Sequence, residues 1–129
     1  MTPQQLKART KQFALDIVRF CPTLPKTSEG RRVAGQLFDA GTGVGAGYRA
    51  VCRCKSDADF IAKLGTCIEE ADESGYWLEI AIGADFVVPH VAAPLLAESD
   101  ELTRIFVASR ETVRERLRAA KRQRTRPNQ

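Results

Sequence analysis

Apolar residues recur at helical spacing in four separate stretches of the chain. Leu6, Phe13, Ile17 and Phe20 share one face and predict a first helix from about Pro3 to Cys21, where Pro22 and Pro25 end it. A second helix starts near Thr27 or Ser28, with Val33, Leu37, Ala40, Val44, Tyr48 and Val51 on its inner side. A third follows Ser56, a residue type suited to capping, and Asp57 and Asp59 favour the positive end of its dipole. Phe60, Leu64, Cys67, Ile68, Ala71, Leu78 and Ile82 form its stripe, and it extends to about Asp85. Phe86 to Ala93 reads as a connection, and Pro94 as the first turn of a fourth helix whose inner face is Leu95, Leu102, Ile105, Phe106, Ser109, Val113 and Leu117. After Ala120 no apolar residue remains, so residues 121–129 read as a basic, frayed tail. Four amphipathic helices with short connections predict an all-α, antiparallel up-and-down four-helix bundle, one domain over residues 1–120.

The second pattern runs unbroken through an unusual segment, Gly41 to Gly47, in which every second residue is glycine. A phosphate loop would need Lys followed by Ser or Thr after the last glycine, where Tyr48 stands. A dinucleotide fingerprint would need glycine at Ala46 and an apolar strand before the run. On a helix, Gly41 and Gly45 form one small row and Gly43 and Gly47 another. Each glycine costs about 0.8–1.0 kcal/mol relative to alanine. Close packing of another helix must offset that cost, from within the bundle or from another subunit.

Composition narrows the function. No apolar run approaches the roughly 20 residues that cross a bilayer, so no membrane partner is expected. The polar start, Met1 to Lys11, is not expected to act as a secretory signal, and the expected location is the cytoplasm. Cys21, Cys52, Cys54 and Cys67 lack zinc-ribbon or redox spacing, and the only histidine, His90, lies far off, so no metal site is expected. His90 and Ser109 make no triad; no catalytic residue and no cofactor are expected. Glu69, Glu70, Asp72, Glu73 and Glu79 crowd the third helix without a Glu-x-x-His motif, and read as ion-pair partners of arginines on neighbouring helices or subunits.

The net charge of +4 is unevenly placed. Arg110 to Arg126 holds 8 basic residues and 2 acids, giving +6, so the rest of the chain is −2. Arg114, Arg118, Lys121, Arg122, Arg124 and Arg126 are therefore candidate phosphate ligands, together with a second group, Arg49, Arg53 and Lys55. Arg31 and Arg32 could extend that surface. The competing reading is a solvated helix end whose cations complement the dipole, with some of the second group paired to acids on the third helix. No aromatic is interleaved with the basic run, so base stacking is not indicated. Tyr76 and Trp77 suit the core or a subunit interface.

The stretches Gln36-Leu37, Gly41 to Arg49, Asp59-Phe60-Ile61, Glu69-Glu70-Ala71, Tyr76-Trp77-Leu78 and Ile105 to Ser109 resemble the bacterial four-helix bundle family of intervening-sequence or S23 ribosomal proteins. The likeness covers about residues 8 to 117. Members usually carry serine and asparagine where this chain has Gly43 and Gly47. The resemblance implies a left-handed bundle that assembles as a homopentamer, with no established catalytic activity. The related accessory protein of diversity-generating retroelements is similar in fold, pentameric and basic, and works with a reverse transcriptase and nucleic acid. The expectation is a non-enzymatic, oligomeric nucleic-acid or ribonucleoprotein accessory factor with an RNA or DNA partner. The alternative is a protein-binding scaffold. Gly41, Gly43, Gly45, Gly47, Tyr48, Tyr76 and Trp77 are the candidates for close helix packing or the subunit interface.

Overall fold

The computed structural model describes residues 1–127. Four helices account for most of that span: α1 (Pro3–Phe20), α2 (Ser28–Val51), α3 (Asp57–Gly83) and α4 (Pro89–Arg124), with a 3-10 turn at Cys21–Thr23. No strand occurs among the described residues. Local chemistry explains where each helix begins. Thr2 and Gln5 cap α1 reciprocally, the Thr2 hydroxyl accepting from the Gln5 N–H at 3.1 Å and the Gln5 side chain accepting from the Thr2 N–H at 2.8 Å. Thr27 caps α2 by accepting from the Gly30 N–H, and Ser56 caps α3 by accepting from the Asp59 N–H, both at 3.1 Å.

The corner between α3 and α4 differs from expectation. Helix α3 stops at Gly83, and Asp85 turns left-handed at φ 62°. The Phe86 N–H then reaches back to the Ala81 carbonyl at 2.9 Å, and the Asp85 N–H to Ile82 at 3.0 Å, which closes the last turn. Helix α4 starts at Pro89 rather than Pro94, because Val88 has the extended backbone that a residue before proline favours. Pro94 lies inside α4 on an exposed face, where water can reach the His90 carbonyl that lacks its usual donor. At the other end α4 continues past Ala120 to Arg124, so the segment read as a frayed tail is helical over its first four residues. Residues 128–129 of that tail lie outside the described residues.

Consecutive helices pack antiparallel along three long seams, and α1 meets α4 over a shorter one. The core is the stripe the periodicity marks: Phe13, Ile17, Leu37, Val44, Leu64, Leu78, Leu102 and Phe106 are all buried. Tyr48 is buried as well and stacks on Phe106 across the bundle, ring centroids 5.9 Å apart. Burial lifts the Tyr48 phenol to about 12, with Cys52 as the next cause, so it stays protonated. No helix among the described residues is long and apolar enough to cross a membrane.

The glycine run lies wholly within α2, and its two rows face two different neighbours. A Cβ on Gly41 would stand 2.7 Å from the Ile17 side chain, and one on Gly45 would stand 3.3 Å from the Thr10 carbonyl, both on α1. A Cβ on Gly43 would meet the Glu70 carboxyl at 2.9 Å, and one on Gly47 the Cys67 sulfur at 3.1 Å, both on α3. The close partners are therefore α1 and α3 of the same chain.

Candidate nucleic-acid interface

Antiparallel packing brings the start of α1, the end of α2, the start of α3 and the end of α4 to one end of the bundle. Taken as residues 1–12, 44–66 and 106–127, this end holds 15 of the 20 Lys and Arg residues but 4 of the 16 Asp and Glu residues. The remainder is correspondingly acidic. The chain is thus strongly polarised along the bundle axis, which its net charge of +4 conceals.

Two hollows show how the cations meet. Between α1 and α2, Lys7, Lys11 and Arg49 rim a floor of Ala8, Ala14, Gly45 and Ala46. At the turn from α2 to α3, Lys55 and Arg116 share the wall of a smaller hollow with Phe60 and Val113. The two basic groups read from the sequence, one after the glycine run and one at the C-terminus, therefore adjoin. Arg53 is exposed in the same turn, its N–H bonded to the Ala50 carbonyl at 3.1 Å. Arg31 and Arg32 lie at the start of α2 and so at the opposite end, which removes them from this surface. Lys7 and Lys11 were not among the sequence candidates. Their spacing of four puts them on one exposed strip of α1, but only the fold sets that strip beside Arg49.

The C-terminal cations divide into two sets. Arg114 pairs with Glu111 at 3.1 Å, Arg118 with Glu115 at 3.0 Å, Arg122 with Glu115 at 3.3 Å, and Arg116 with Asp57 at 3.4 Å. The arginines hold the Glu115 carboxyl below its ordinary range, Arg118 most strongly. Lys121, Arg124 and Arg126 make no ion pair among the described residues, and neither do Arg49, Arg53 and Lys55. The pairing of the second group with acids on α3 does not form; Asp59 binds Lys63 instead, at 2.9 Å.

Glu69, Glu70, Asp72, Glu73 and Glu79 of α3 pair with no arginine of the same chain among the described residues. Glu70 lies against the bare backbone at Gly43, and desolvation, helped by Glu73, Glu69 and Asp39, raises its carboxyl above the usual range. Glu73 accepts from the Trp77 indole N–H at 3.3 Å. Trp77 is half-buried against the core and meets Tyr76 edge-on, with centroids 5.1 Å apart. Tyr76 is 53% exposed and lines a hollow between α3 and α4 with Asp72, Glu79, Leu96, Ala97 and Asp100. All four cysteines are free. Burial lifts Cys21 to about 11 and Cys67 to about 12, which suits inert core thiols.

A family model described as 23S rRNA-intervening sequence protein matches residues 4–108. Among solved structures, the chain is similar to a protein of unknown function from the S23 ribosomal protein family of Bacteroides thetaiotaomicron VPI-5482. The two are 27% identical, with a TM-score of 0.79 over 86% of this chain and 99% of the other. No curated protein matches the sequence.

Proposed function

The chain belongs to the 23S rRNA-intervening sequence protein family, and from that premise we propose a non-enzymatic accessory factor that binds nucleic acid as a homo-oligomer in the cytoplasm. Membership agrees with the resemblance carried by the glycine run and its flanks. One observation carries the nucleic-acid reading: Lys7, Lys11, Arg49, Arg53, Lys55 and the cationic end of α4 gather at one end of the bundle. Such a field attracts phosphate without reading sequence. A gel-shift titration across salt tests it. Binding at about 50 mM salt should weaken steeply, the slope rising by about 0.9 for each phosphate neutralised. No complex even at low salt would remove the reading.

Self-association, as a pentamer by the family resemblance, draws support from Tyr76, which stands exposed in the α3–α4 hollow. In a ring whose axis follows the bundle axis, every basic end faces the same side and the fields add. Light scattering on the wild type and on Tyr76→Glu tests this. A wild type with the mass of a single chain would end the proposal.

The same exposed tyrosine, rimmed by Asp72, Glu79 and Asp100, favours the second reading, a protein scaffold with no nucleic-acid role. That reading requires a defined protein to co-purify, and requires deletion of Lys121 to Gln129 to change nothing.

A further inference from the structure

Resting on the nucleic-acid reading above, we infer that the free end of α4 inserts into the major groove of B-form duplex DNA. Among the described residues, the pair between Arg116 and Asp57 is the last ion pair tying α4 to the bundle. From Leu117 to Arg124 the helix runs on for two turns, about 12 Å, with every residue exposed. The hollow alongside is lined only by α4 and Arg126, so among the described residues no other element covers this stretch.

Its charge is distributed in a way that selects the partner. At about 3.6 residues per turn, Arg116, Arg124, Lys121, Arg118 and Arg122 follow one another around the axis, and no arc wider than about a third of the circumference lacks a cation. A bilayer surface needs one broad apolar face, and this helix offers only Leu117 among small and polar residues. A single strand needs aromatic platforms, and the segment has none. Cations on every side call for phosphates on both sides, which the two walls of a duplex groove provide. A helix about 10–12 Å across fits the B-form major groove, about 12 Å wide. The deep, narrow major groove of A-form RNA excludes it. Glu111 and Glu115 hold Arg118, and Glu115 holds Arg122, only through exposed pairs, which exchange readily for phosphate.

Fluorescence anisotropy on the full-length protein tests the inference. The probes are a duplex DNA of about 20 base pairs, the duplex RNA of the same sequence, and the single DNA strand. The double variant Lys121→Glu/Arg124→Glu is compared with Arg31→Glu/Arg32→Glu, which changes net charge equally at the opposite end. Circular dichroism confirms that both fold. Wild type should bind the DNA duplex about tenfold more tightly than either other probe. The α4 variant should lose about tenfold on it, and the control less than about twofold. Equal or tighter binding of RNA duplex or single strand, or an unaffected α4 variant, overturns the inference and leaves the nucleic-acid reading standing. Failure of wild type to bind any probe overturns both.

Discussion

Arg9 on α1 grips Glu98 on α4 with two parallel hydrogen bonds, Nη2 to Oε1 at 2.6 Å and Nε to Oε2 at 2.8 Å. No other side-chain hydrogen bond among the described residues joins these two helices, and their seam is the shortest in the bundle. Both side chains are 29% exposed, so water screens the pair only in part. Arg9 is thereby committed to the fold, unlike its neighbours Lys7 and Lys11. Glu98→Gln should lower stability by about 1–2 kcal/mol. Arg9→Lys should do nearly as much, because the fork is lost although the charge remains. Urea denaturation reads both, and an unmoved midpoint for Glu98→Gln would make the pair incidental.

The glycine positions predict opposite signs on one helix. Gly41→Ala drives a methyl group into Ile17, which is fully buried, and should cost about 1–3 kcal/mol. Gly35→Ala meets nothing within 4 Å and should gain about 1 kcal/mol from helix propensity. Thermal melts at matched protein concentration compare the two. Because Gly45 abuts the α1 backbone, Gly45→Leu should cost helicity along with any assembly.

Periodicity exposed what lies buried and little else. The inner faces of α1, α2 and α3 were legible because each apolar side chain there answers to the core. The last turns of α4 were not, since Arg, Ala, Lys and Gln sustain a helix by propensity and by pairs such as Glu115 with Arg118, leaving no apolar trace. The same limit misplaced Leu117, which lies past the bundle and is 38% exposed. Pro89 and Pro94 both suit a helix start, and the Asp85 turn decides between them by how soon the chain reverses. Lys7, Lys11, Arg9 and Glu98 carry no local signal, because their partners stand 38 or more residues away.

Asp85 takes a left-handed backbone conformation that disfavours any residue with a Cβ. Asp85→Gly should therefore stabilise the chain by about 0.5–1 kcal/mol, the relief of strain being offset in part by a more flexible unfolded chain. Asp85→Val should destabilise it by a larger amount, since a β-branched residue tolerates this conformation worst. Equal melting temperatures for the two variants would show that the turn is not held as described.

Glu70 gives stability a pH dependence of defined sign. Its carboxyl is raised in the folded state, first by desolvation and then by Glu73, Glu69 and Asp39. A raised carboxyl binds its proton more tightly when folded, so this residue favours the fold fully below its unfolded value and loses that contribution as pH rises through the folded one. Charged at pH 7, it opposes the fold. Glu70→Gln should then melt higher than wild type at pH 7, and the gap should close as pH falls below about 4.5. The difference between the two proteins is the quantity to follow, because Asp59 and Glu115, both shifted downward, act in the opposite direction in each. A gap that stays constant from pH 7 to about pH 4 would mean that the carboxyl beside Gly43 is as well solvated folded as unfolded.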